Sequence, residues 1–204
     1  MSLESRLAGL KIDLLDSNGP AISTNRAYPF AIFWYPPDEE YAAREKIVEL
    51  GDDLRREGWN VHSIDLMGLL LAYLSDVDEG GLVEYLEGEE ETLYRAHRGN
   101  LEPQIAMLAN ELGPHFDAAD GFPARVLTEI KTCTAEDDPN RAVVFLSRIG
   151  GLYPFYRTSA LLRFLDQGVR VPTIVMYPGI HTDQSALSFM GEMDADRDYR
   201  PRIY

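Results

Sequence analysis

Arg148, Tyr153, Tyr156, Arg157 and Tyr177 fall within thirty residues of one another and have the side chains best suited to grip another molecule. Guanidinium groups set among aromatic rings can hold a carboxylate, a phosphate or the acidic side chain of a partner, and Arg and Tyr recur as interface anchors. Arg200, Arg202 and Tyr204 repeat the same mixture in Tyr199-Arg200-Pro201-Arg202-Ile203-Tyr204 and extend the candidate partner-binding set. A structural role is the competing reading: the tyrosines pack under the tail, and the two loop arginines pair with carboxylates of the chain itself.

Other chemistries fare worse. A phosphate loop needs glycines that let backbone N–H groups approach, with a lysine and a Ser/Thr for metal. No G-x-x-x-x-G-K-[ST] and no G-x-G-x-x-G occurs, and Pro36-Pro37-Asp38-Glu39-Glu40 stands where such a loop would start. Two prolines remove donors there, and three carboxylates repel phosphate. Asp65 occupies the position of a ribose-binding acid, but without the glycine loop it reads as a helix cap. His62, His97, His115 and His181 form no His-x₃-His pair, and Cys133 has no second cysteine, so no zinc set is expected. His62 reads as a packed or hydrogen-bonded strand residue, and Cys133 as inert core. There is no G-x-S-x-G elbow, and Thr158 or Ser159 is explained as a helix N-cap. The acidic groups at 38–40, 52–53 and 89–91 read as solvated helix surface rather than general acids. No catalytic residue, cofactor or metal ligand is assigned.

Around these residues the chain reads as run, loop, helix, run. Ala142-Val143-Val144-Phe145-Leu146 is apolar throughout, Leu161, Leu162, Phe164 and Leu165 recur at helical spacing, and Val171–Met176 is a second buried-type run. Strands apolar on both faces belong to a parallel sheet covered by helices. The loops 148–158 and 177–184 then lie beyond the carboxyl ends of their strands, where such sheets place ligand and partner sites. An earlier unit has the same form. Phe30–Tyr35 is a strand, Asp38 a candidate cap, Ala43, Ile47, Leu50 and Leu54 a helical stripe ending at Gly58. Trp59–Ile64 is the next strand, with Asp65 capping a helix over 66–75. Leu3, Leu7, Leu10 and Leu14 predict an amphipathic helix over 1–16.

Between 76 and 140 the strand signal disappears. Residues 76–81 read as loop, 82–87 as a short helical piece, and Glu89-Glu90-Glu91 as the start of another helix reaching about His97. Further helices are centred on Leu101–Leu112 and Phe122–Cys133. The reading is one α/β domain over 1–204, with four or five mostly parallel strands and a helical insertion at 76–140. It is Rossmann-like or a degenerate phosphate-loop sandwich. Residues 185–193 are open between strand and helix, and 199–204 reads as extended.

The 204 residues carry 34 acidic and 19 basic side chains, a net charge of −15, which argues against a general nucleic-acid surface and suits a basic partner. No apolar run approaches the roughly 18 residues of a membrane span, the first residues lack a signal-peptide layout, and the lone cysteine allows no internal disulfide. A cytoplasmic location is the expectation.

Tyr28–Tyr35, Gly150–Leu162, Val171–Gly179, Leu187–Gly191 and Tyr199–Tyr204 together resemble the BrxB family of bacteriophage exclusion (BREX) systems. The resemblance implies a small accessory component of an antiviral defence complex, working through a contact with the alkaline-phosphatase-like protein PglZ, and it brings no catalytic residue. The expectation is a non-enzymatic scaffold subunit. The alternative is a small-molecule or nucleotide sensor, or a degenerate hydrolase, using the same sheet edge.

Overall fold

A computed structural model of the chain describes residues 2–22, 28–183, 186–189 and 201–204. Helix α1 (Leu3–Leu14) starts at Ser2, whose hydroxyl accepts the Ser5 N–H, and buries Leu7, Leu10 and Leu14. Strand β1 (Phe30–Tyr35) is buried on both faces save for Trp34. Pro37–Glu39 makes one 3₁₀ turn before α2 (Glu40–Arg56), which turns Ala43, Ile47, Leu50 and Leu54 inward. The expected Asp38 cap is therefore not formed. The prolines fix the backbone for an immediate turn, which draws Asp38 inside it and leaves Glu39 at the cap position without a side-chain bond. Gly58 has the positive φ expected after a helix.

Strand β2 (Asn60–Asp65) leads into α3 (Leu66–Asp76), and Asp65 caps it as expected, accepting the Gly68 N–H at 3.0 Å. Then follow α4 (Gly81–Ala96), α5 (Glu102–Asp117), α6 (Phe122–Cys133), β3 (Ala142–Ser147), α7 (Thr158–Leu165), β4 (Thr173–Asp183), β5 (Ala186–Phe189) and β6 (Arg202–Ile203). Three expectations are corrected here. The two helical pieces at 82–97 are the single helix α4: a methyl at Gly88 would meet nothing, and one open glycine costs a helix only about 1 kcal/mol. Residues 177–183 are strand rather than loop, because β4 outruns its parallel partner at Tyr35↔Pro178 and continues into a hairpin with β5. Helix α7 has Arg157 at its cap, with no side-chain bond, and Thr158 lies buried in the first turn.

The strands lie in the order β2-β3-β4-β1-β6, all parallel, with β5 antiparallel to β4. One face of the sheet packs Ala31, Phe33, Tyr35, Phe145, Ile174 and Met176 against α1 and α2. The other packs Phe30, Ile32, Val144, Leu146, Val175 and Tyr177 against residues of α3 to α7. The stretch between β2 and β3 thus forms a helical layer on one face of the sheet. Its hub is Phe122, fully buried, edge-on to Phe116 at 5.9 Å and tilted to Tyr73 at 6.0 Å.

Candidate functional site

The chain leaves β1 toward one face of the sheet and β2 and β3 toward the other, so the connections part on either side of β4. A crevice opens at that point, beyond the carboxyl ends of the strands. It is a pocket of about 270 Å³ lined by Pro37, Glu40 and Arg44 after β1, Met67 after β2, Arg148, Gly150 and Gly151 after β3, and Pro178 in β4.

Its two walls hold arginines in place by the same device. On one side the guanidinium of Arg44 pairs with Glu40 at 2.5 Å, and burial together with a hydrogen bond to Glu40 holds the Tyr35 hydroxyl well above the usual tyrosine range. On the other, Arg148 donates to Asp65 Oδ2 at 2.8 Å while Asp65 Oδ1 caps α3. Burial raises the Asp65 carboxyl, but the bonds from Gly68 and Arg148 outweigh it and keep the group below its ordinary value. Arg148 itself has φ 55° and ψ 34°, a left-handed conformation that non-glycine residues adopt at a cost. Gly151 brings its loop against Met67: a methyl there would stand 2.5 Å from the Met67 Sδ.

The structure divides the residues singled out from the sequence. Arg148, Tyr153, Tyr156 and Arg157 line one loop after β3, with both arginines exposed. Tyr153 and Tyr156 are half-buried against the helical layer, and Tyr156 stacks on Phe116 with ring centroids 4.8 Å apart and planes 8° from parallel. Tyr177 is fully buried in β4. Arg202 and Tyr204 lie elsewhere, on a strand three places from β3, roughly 14 Å across the sheet. Tyr204 is buried, its hydroxyl donating to Asp13 at 2.6 Å, and Arg202 pairs with the same carboxylate at 2.8 Å. Arg200 and His181 cannot be placed in this way: Arg200 lies outside the described residues, as does the side chain of His181.

Reading the sequence missed the opposite wall: Glu40 reads there as one of the solvated carboxylates at 38–40, and nothing in the sequence singles out Arg44. The remaining candidates for chemistry are held by local contacts. His62 Nε2 meets Asp137 at 2.6 Å, and burial pushes the Cys133 thiol up while its Sγ–H points at the Ile130 carbonyl. Among the described residues no group of three or more His, Cys, Asp or Glu side chains could hold a metal ion, and no helix is long and apolar enough to cross a membrane.

Burial, reinforced by the charge of Asp117, pushes the Tyr156 phenol up to about 12. A raised value means that the neutral form is stabilised on folding. Its contribution is complete below the ordinary tyrosine value of about 10 and is lost as pH rises through about 12. Difference absorbance of tyrosinate between the parent and Tyr156→Phe is expected to place this group at that upper value. A midpoint near 10 would mean that the ring is not packed on Phe116.

Fold and site together define a doubly wound α/β protein whose strand switch point is walled by arginines held by carboxylates, in place of a glycine cradle. The chain belongs to the BrxB family. The sequence model of that family, described as "BREX protein BrxB", matches residues 62–203, from β2 through β6. A protein named "BREX protein BrxB" from Bacillus cereus (strain H3081.97) is 26% identical over 178 residues, covering 84% of this chain and 80% of that protein. No solved structure matches.

Proposed function

We propose that the chain is a non-enzymatic scaffold subunit of a BREX-type antiviral defence complex, acting in the cytoplasm through contact with a protein partner, PglZ. The loop 148–158 is the contact surface. One observation carries this reading: Arg157 stands exposed on a loop braced by the Tyr156–Phe116 stack, with no ion-pair partner among the described residues of a chain rich in carboxylates. An ordered aromatic loop carrying an unneutralised guanidinium suits an interface anchor, because little side-chain freedom is lost on binding. The turn Pro37–Glu39 supports the same reading, since it presents prolines and carboxylates where a nucleotide-hydrolysing fold presents N–H groups.

The test is recovery of PglZ with the chain expressed from its native operon. Arg157→Glu is expected to reduce that recovery by about tenfold or more while leaving the melting temperature unchanged, since exposed substitutions cost within about 0.5 kcal/mol. Undiminished recovery with the variant would discard the loop as the contact.

A further inference from the structure

We propose that the pocket at the strand switch point binds a small molecule carrying one negative charge on a flat apolar body. This goes beyond the scaffold reading and uses a different arginine. Two guanidiniums face the pocket from opposite walls, Arg44 and Arg148; each is oriented by a carboxylate, and that of Asp65 is fixed in turn by the Gly68 N–H. A guanidinium has five N–H donors. Arg148 gives Nη1 to Asp65, and Arg44 gives Nε and Nη2 to Glu40, so both keep donors for an anion.

The charge count sets the ligand class. Arg44 and Arg148 balance Glu40 and Asp65, so these four side chains carry no net charge between them before anything binds. A polyphosphate would add several negative charges to a chain already at −15, with no lysine and no glycine cradle among the lining residues. A single carboxylate or phosphodiester fits the donors. Pro37, Met67 and Pro178 supply the apolar surface, and a thioether against a ring is a favourable contact. The volume, about 270 Å³, lies just under the range of drug-sized sites and limits the ligand to a small molecule. The left-handed backbone at Arg148 turns the chain from β3 into the 3₁₀ turn Ile149–Leu152. It aims the side chain from the end of β3 across to Asp65, over the mouth of the pocket.

Titration calorimetry tests this with two flat monoanions, indoleacetate and cyclic AMP, against their uncharged counterparts, indoleacetamide and adenosine. At least one monoanion is expected to bind about tenfold tighter than its counterpart. Arg148→Gly is expected to lose that preference while melting no lower than the parent, because glycine adopts the left-handed conformation without strain. Arg44→Gln is expected to weaken the same ligand, and Arg157→Glu to bind it normally, so the pocket and the partner contact can fail separately. The absence of binding by both monoanions at millimolar concentration overturns the proposal. So does binding that survives both the Arg148→Gly and the Arg44→Gln substitution.

Discussion

Gly121→Ala is expected to lower stability by about 3 kcal/mol and the melting temperature by roughly 6–12 °C. Gly121 sits at the cap of α6, where α5 has just ended, and a methyl group there would lie 2.2 Å from the His115 carbonyl oxygen and 3.1 Å from that of Ala118. Both obstacles are backbone, so no rotamer change relieves them. Retreat of the α5 end would drag His115 from the Tyr73 hydroxyl it meets at 3.2 Å and loosen Phe116 from Phe122. Urea unfolding measures the loss, and Gly88→Ala provides the contrast. That site is open within α4, and the substitution is expected to stabilise by about 0.5–1 kcal/mol. If Gly121→Ala unfolds with the parent, the corner between α5 and α6 is not packed as described.

Tyr204→Ala is expected to cost about 3–5 kcal/mol, as for other buried aromatic truncations. The ring lies in the same core as Leu10, Leu14 and Phe33, and its main chain is stitched to β1 on both sides: Tyr204 N–H donates to Ile32, and Trp34 N–H donates to Tyr204. Tyr204→Phe keeps the ring and loses only the bond to Asp13, for about 1 kcal/mol. The ratio of the two losses is the informative quantity. Equal small losses would show that residues 201–204 lie on the surface rather than in the sheet.

Legibility from sequence followed the range of the interactions involved. The units β1–α2–β2 and β3–α7–β4 could be read because β1, β3 and the start of β4 are unbroken apolar runs, each helix shows its stripe locally, and the more polar β2 follows the helix stop at Gly58. Asp65 announced its capping role through its place before an apolar helix. The tail reads as extended from its proline and sparse helix formers, but its sequence does not distinguish core from surface. Arg202–Ile203 is too short to show alternation, and its partner, β1, lies at the other end of the chain. The pocket was half legible. The strand-end rule pointed to loop 148–158, while Glu40 and Arg44 became a wall only once β4 had been inserted between β3 and β1. Likewise, Arg148 could have been paired or free, and only the register Asp65↔Ser147 brings it beside its carboxylate.

The placement of β1 between β4 and β6 bears on the nascent chain. Phe30-Ala31-Ile32-Phe33-Trp34-Tyr35 leaves the ribosome long before either neighbour that satisfies its edges, since both are translated only from residue 173 onward. At ordinary synthesis rates that interval is on the order of ten seconds. Throughout it, a six-residue apolar segment of high strand propensity stands ready for the wrong partner. Fragments ending before β4 should therefore aggregate or recruit holdase chaperones, however well their helices form.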